Sequence, residues 1–267
     1  MNYGMHVAAS GVLVNSHRLD VLANNLANVN TPGFKPQFSD VQERLPERLE
    51  DGPYEPGVAR RMLEQIGGGV YAGQHQINFT PGAHVQTGQQ LDVALSKTNS
   101  DTFFVVQAID AKTGEATPHV TRDGRFLPNH EGEIVTQSGA RVLDDRDKPI
   151  RVPDGTADIG ISRGGEITFR DEVGGELGRA QLQVARVDTA GLEHRGAGLF
   201  AMATGDTRQE VDSPDVHQGH YEGSGTNAIS TMMEIVAATK AASGNANMIR
   251  YHDQMMNQSI NTFARLA

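Results

Sequence analysis

The 267-residue sequence contains no cysteine, which excludes disulfides, thiolate zinc sites, iron–sulfur clusters and cysteine nucleophiles. It contains no tryptophan, and aromatic residues make up only 5%, too few to line a platform for bases or sugars. Cations are also short, with 23 Lys and Arg against 33 Asp and Glu and a formal charge of −10. A general nucleic-acid binder needs the opposite, cations clustered for phosphates. No stretch approaches the roughly 20 apolar residues of a membrane span. The start, MNYGMHVAASGVLVNSHR, lacks the basic head and long apolar core of a secretory signal peptide. Cytoplasmic residence is the default, although export without cleavage would leave the same sequence.

Catalytic signatures are missing too. There is no phosphate-binding GxxxxGK[ST] loop, no GxSxG elbow and no HExxH helix. His217-Gln218-Gly219-His220 is the best metal-binding pair, but a site needs a third ligand and supporting partners. Asp144-Asp145-Arg146-Asp147 has the look of a calcium loop, yet Pro149 and a missing glycine spoil the register and leave a solvated acidic turn. Asp92, Asp101 and Asp123 each suit a turn or strand end, and nothing in the sequence brings them together. No cofactor, metal or catalytic residue is expected.

What the sequence does contain is two apolar, nearly uncharged ends. Met5, Ala8, Val12, Asn15, Leu19, Leu22, Leu26 and Val29 step by alternating threes and fours, the spacing of a heptad seam. A second seam runs through Ala228, Met232, Ile235, Thr239, Ala242, Ala246, Ile249, Asp253, Met256, Ile260 and Phe263. Residues 1–33 hold one Arg and one Asp, and residues 224–267 hold three cations and two acids. The middle, with 19 basic and 30 acidic residues, therefore carries −11. Depletion of charge marks the centre of an interface. Amides on the other faces, among them Asn24, Asn25 and Asn28, suit helices surrounded by other helices better than solvated ones. A hairpin of the two helices closing on itself would explain the seams as well.

The first helix is expected to stop at Thr31-Pro32-Gly33-Phe34, where Pro32 disfavours helix at Thr31 and Gly33 permits a turn. Residues 34–90 read as an extended connector, with the turn-rich run PERLEDGPYEP and the Gly67-Gly68-Gly69 break. Residues 91–222 read as a β body of short strands, a small barrel or sandwich. Phe103-Phe104-Val105-Val106 suggests a buried strand, Asp123-Gly124 a hairpin, and Leu182–Val187 a strand with one wet face. The expected order is thus helix 1–33, connector 34–90, body 91–222 and helix 223–267. The class is α+β, mainly β, with the terminal helices paired in a coiled-coil-like bundle.

Several blocks resemble bacterial flagellar rod and hook proteins. The longest is Ala23-Asn24-Asn25-Leu26-Ala27-Asn28-Val29-Asn30-Thr31-Pro32-Gly33-Phe34-Lys35. Thr87–Leu95, Phe103–Gln107, Thr121-Arg122-Asp123-Gly124-Arg125-Phe126, Gly132–Thr136 and Glu222-Gly223-Ser224 follow in the family's order. Phe79-Thr80-Pro81-Gly82 is similar to proximal-rod proteins and Ile66-Gly67-Gly68-Gly69-Val70 to distal-rod proteins, with a slight lean to the former. The chain departs from the family at Lys240-Ala241-Ala242-Ser243-Gly244, at Ser96–Asp101 and at Gly225-Thr226-Asn227.

The resemblance implies a structural subunit of the rod, the periplasmic shaft that carries motor torque to the hook. It implies other rod subunits and hook-side neighbours as partners, and the flagellar type III export apparatus as the route out, without a cleaved signal. Nucleic acid and membrane insertion play no part. The subunit interface would comprise Met5, Val12, Asn15, Leu19, Leu22, Asn24, Asn25, Leu26, Asn28 and Val29, with Met232, Ile235, Ala242, Ala246, Ile249, Met256, Ile260 and Phe263. The rival readings are a soluble β-sandwich binding module oligomerised by its helices, and a metal hydrolase using His217 and His220.

Overall fold

The computed structural model describes residues 3–44, 68–98, 100–109, 116–202, 208–211 and 214–266. The PERLEDGPYEP run and the side chain of Phe263 lie outside the described residues. The class is α+β and mainly β. In chain order the elements are helix α1 (Tyr3–Ala27), then strands β1 (Gln37–Glu43), β2 (Val70–Ile77), β3 (His84–Gln86), β4 (Val93–Leu95) and β5 (Thr102–Ile109). Next come β6 (Ala116–Thr121), β7 (Phe126–Pro128), β8 (Ile134–Thr136), β9 (Arg141–Val142), β10 (Asp158–Ile161), β11 (Glu166–Arg170) and β12 (Glu176–Gln181). The last are β13 (Val184–Arg186), β14 (Leu192–Gly196), β15 (Leu199–Met202), β16 (Gln209–Glu210), β17 (Val216–Gln218), β18 (His220–Glu222) and helix α2 (Ala228–Leu266).

The chain forms two compact units, each assembled from separated stretches. One holds Met1–Ala27, Gln37–Ile77 and Asn227–Ala267. In it β1 and β2 pair antiparallel, Gln37 opposite Ile77 and Glu43 opposite Val70, with an irregularity between Ser39 and Val41. Among the described residues, strands β1, β2 and β3 lie within the segment expected as an extended connector. Strands β1 and β2 persist because α1 covers them: Ser10 Oγ accepts from Val70 N at 3.2 Å, and the His17 and His75 rings stand 4.7 Å apart. Asn25 closes the far end, donating to Gln37 O at 2.6 Å and accepting from Gln37 N at 2.9 Å. Helix α2 starts at a cap, since Asn227 Oδ1 accepts from Ile229 N and Ser230 N. Its 39 residues span about 58 Å at 1.5 Å per residue.

The other unit holds Asn28–Pro36 and Asn78–Thr226. Its main sheet runs β14-β15-β6-β5-β9-β8-β7, with β13 joined to β5 and β16 to β13. Strands β10-β11-β12 form a separate sheet, and β17 and β18 pair with β4 and β3. Among the described residues these sheets stay open, so the closed barrel is not formed: strands of two to eight residues are distributed over one nine-stranded sheet and three smaller ones. The core gathers Phe104, Val106, Phe126, Val142, Ile167, Phe169, Leu182 and Val184.

Two local expectations change. Asp123-Gly124 does not join a hairpin, because β6 pairs with β5 and β15 while β7 pairs with β8. Gly124 is needed there for close approach: a β-carbon would strike the Val93 carbonyl, and Val93 N donates to Gly124 O at 2.9 Å. Leu182–Val187 is exposed only at Arg186; Gln183 and Ala185 are buried like Leu182 and Val184, so the expected alternation of a wet face is not kept.

Candidate functional site: helix faces and a buried ion cluster

Helices α1 and α2 run antiparallel, as three levels of contact show. Arg18 Nη2 meets Glu234 Oε2 at 3.3 Å, Gly11 lies against Asn245, and Gly4 lies against His252. On α1, Ala8 and Leu22 are buried, and Met5, Val12, Asn15, Leu19 and Leu26 are half-buried. Asn15 spends its amide locally, donating to Gly11 O at 2.7 Å. Val14, Val21 and Asn25 are also buried, on the stripe shared with Ser10 and His17, so α1 is covered on two faces.

On α2 half of the expected seam moves by one residue. Ala228, Ile235, Ala242, Ile249 and Met256 are half-buried. Between them the sheltered residues are Thr231, Ala238, Asn245 and His252, where Met232, Thr239, Ala246 and Asp253 were expected. Met232 and Ile260 are 52% and 64% exposed. The cause is steric: Gly4 and Gly11, seven residues apart, make room on α1 for His252 and Asn245. A search for apolar periodicity passes over two polar side chains; glycines at heptad spacing opposite them are the signal.

Displacing Met232 outward adds to a second apolar stripe. Ile229, Met233, Val236 and Tyr251 are exposed on the side of α2 away from its seam, with Met248 and Met255 beside them. Among the described helices none is long and apolar enough to cross a membrane.

The turn after α1 forms as expected: Thr31 N donates to Asn28 O at 3.1 Å, and Gly33 has φ +65°. Asn28 and Val29 are half-buried here, Asn24 is exposed on α1, and Pro32, Gly33 and Phe34 are buried. Next to this turn is a group of ions that the sequence did not assemble. Lys35 Nζ donates to Glu222 Oε1 at 2.6 Å and to Thr80 O at 3.1 Å. Arg122 Nη1 donates to Glu222 Oε2 at 2.9 Å, with its guanidinium over the Phe103 ring. Gly82 N also donates to Glu222 Oε1 at 2.9 Å. All three charged side chains are fully buried.

The electrostatics follow from burial and pairing. Burial alone pushes Glu222 up, but the charges of Lys35 and Arg122, with hydrogen bonds from Lys35 and Gly82, outweigh it and hold the carboxyl below its ordinary value. Burial pulls Lys35 down; Glu222 offsets only part of this, and Arg122 adds to the depression. The main-chain bonds agree on the location: Gly33 N donates to Glu222 O at 2.8 Å and Gly225 N to Phe34 O at 2.9 Å. The cluster therefore pins the residues just after α1 to those just before α2.

The other candidate groups are placed as follows. Asp123 is raised by burial, opposed by Arg125 and reinforced by Asp92, so two of the three carboxylates do come near each other. Asp101 instead pairs with Arg186 at 2.9 Å. Asp144 Oδ1 accepts from Arg146 N and Lys148 N, closing the acidic turn on itself. His217 lies 3.8 Å from Asp215 and its ring 5.8 Å from that of His84, while His220 Nδ1 is 3.0 Å from Gln218 O. Among the described residues no three His, Asp or Glu side chains are arranged to hold a metal ion.

Comparison with known proteins adds independent findings. The family described as flagella basal body rod protein matches residues 5–35, and the flagellar hook protein FlgE/F/G D1 domain matches residues 98–169. The flagellar basal-body rod protein FlgG of Agrobacterium fabrum is 30% identical over 93% of this chain and 95% of its own length. The flagellar basal-body rod protein FlgF of Caulobacter vibrioides is 29% identical over 93% of both chains. The FlgF protein of Rhizobium meliloti is 28% identical over 98% of both.

Proposed function

The chain belongs to the family of flagellar basal-body rod proteins, and on that premise we propose that it works as a structural subunit of the rod. The geometric observation that carries this reading is the uncovered stripe of Ile229, Met233, Val236 and Tyr251 on a helix almost without charge. Burying each such side chain is worth about 1.5–3 kcal/mol, so a neighbour covering all four gains substantially. In this proposal neighbouring subunits bury their terminal helices together as a coiled-coil-like bundle. A heterologous contact of that kind, repeated along an axis, makes a helical filament that can transmit torque. The proposed interface comprises the two seams together with the outward stripe, Met232 now belonging to its outer side and Ile260 continuing the seam face as an exposed residue.

Location in the basal body and assembly with other rod and hook-side components follow from the family. The periplasmic position and export through the flagellar type III apparatus without a cleaved signal are further parts of the proposal. FlgG and FlgF relatives match at nearly the same identity, which supports the rod and leaves its proximal and distal parts equally served. The relatives are named flagellar basal-body rod proteins, and this favours a shaft over a binding module or a hydrolase. The test is a Met233→Asp/Val236→Asp variant in sedimentation and swimming assays. Loss of polymer and of motility with helix content unchanged is expected; wild-type polymer and swimming would refute the proposal.

A further inference from the structure

We infer that Glu222 is the latch that closes the β body: it allows the segment after α1 to dock beside Arg122 only once the residues just before α2 are in place. This stands on the geometry of the body and does not depend on the rod assignment. The three ions come from distant stretches, Glu222 being 187 residues from Lys35 and 100 from Arg122. They meet where all three side chains are shielded from water. Two are cations and one is an anion, so the carboxylate has a role that neither cation shares.

Without Glu222, docking Lys35 places its positive charge beside that of Arg122 in a dry site, where Arg122 lowers the affinity of Lys35 for its proton. Without Lys35, the remaining Glu222 and Arg122 form a neutral pair. Removal of the carboxylate is thus the severe loss, and removal of one cation the mild one. The main chain reinforces the order, because Gly33 N and Gly82 N both donate to Glu222 and Gly223 N donates to Ala83 O. A chain is made from its N-terminus, so Lys35 and Arg122 exist long before Glu222. Until β17 and β18 arrive to pair with β4 and β3, Lys35 meets Arg122 without the carboxylate that bonds both, although Asp101 already acts on Arg122. The body then closes last, and only in a chain complete to the start of α2.

The test uses the full chain with Glu222→Gln, Lys35→Met and the double variant, read by amide hydrogen exchange. Gly33 N and Gly225 N report docking of the segment; Val105 N, bonded to Gln183 O at 3.1 Å, reports the central sheet. In Glu222→Gln, exchange at Gly33 and Gly225 should rise by about tenfold or more with Val105 unchanged, the scale expected on losing a buried charge partner. Lys35→Met should rise less than Glu222→Gln. The double variant, with one buried cation instead of two, should be better protected than Glu222→Gln alone. Equal damage from the two single changes, wild-type protection in Glu222→Gln, or no recovery in the double variant would overturn the inference. If Glu222→Gln does not fold at all, the double variant decides: folding supports the latch and failure to fold refutes it.

Discussion

Gly11 of α1 lies under the amide of Asn245 of α2, close enough that a β-carbon at residue 11 would collide with it. The same holds one heptad away for Gly4 and His252. These glycines cost helix propensity, about 1 kcal/mol each against alanine, so their retention in α1 needs a packing reason. The partner side chains supply one.

The Gly11–Asn245 relationship yields a paired test. Gly11→Val should expel Asn245 and cost about 1–3 kcal/mol in urea unfolding of the unit that holds both helices. Gly11→Ala combined with Asn245→Ala should recover most of that loss, because the volume added on one helix is removed from the other. If Gly11→Val is neutral, the two helices do not keep this register in solution.

Contacts within the chain and contacts between copies can be told apart by position. Leu22 is buried in the isolated chain, whereas Ile260 is largely exposed. Leu22→Asp should therefore destabilise the monomer by several kcal/mol, since it buries a charge without a partner. Ile260→Asp should leave the monomer's unfolding midpoint unchanged and reduce polymer formation. Measuring both variants by urea denaturation and by sedimentation checks the distinction. Equal effects on the monomer would contradict it.

Some of this architecture could be read from sequence because its signals are local. The Phe103–Val106 run has no polar position, which fits only a strand covered on both faces, and all four residues have zero exposure. Pro32 and Gly33 fix a turn by backbone sterics alone. The α2 seam was half legible: the apolar steps at Ile235, Ala242 and Ile249 were visible, but the alternate steps were set by glycines on another helix. The Lys35, Arg122 and Glu222 cluster was invisible to periodicity, since ion pairing across such separations leaves no spacing. A weaker signal existed, because each ion lies in one of the blocks that resemble the rod and hook proteins. Nothing local says that those blocks converge.

Glu133 gives a pH dependence with a definite sign. The hydrogen bond from Arg151 at 3.0 Å, helped by Arg141 at 2.9 Å and opposed by burial, holds its carboxyl below the ordinary value of 4.5. A depressed carboxylate contributes stability that is present above 4.5 and lost as pH falls through the lowered value. Glu133→Gln should thus be less stable than wild type at pH 7, by about 1–2 kcal/mol. The gap should narrow as the wild type is acidified below 4.5. Urea midpoints of the two proteins between neutral and acidic pH check this; a gap that stays constant with pH would show that charge is not its source.

The last prediction separates a shaft from a catalyst. His217 and His220 belong to β17 and β18, which pair with β4 and β3, and neither lies on a helix face. Their contacts are modest: Asp215 is 3.8 Å from His217, and His220 engages its neighbour's carbonyl at Gln218. Replacing His217 by Asn and His220 by Gln keeps polarity and removes both imidazoles. For a structural subunit the cost should stay near ~0.5 kcal/mol, the scale of changes away from a packed core. Polymer yield and swimming speed should then match wild type. A hydrolase would respond differently, because losing two ligands of a catalytic ion removes the Lewis acid itself. Elemental analysis of the purified wild type and the double variant gives the second readout. Stoichiometric zinc that disappears together with motility would overturn the mechanical reading, whereas a swimming variant with unchanged metal content supports it.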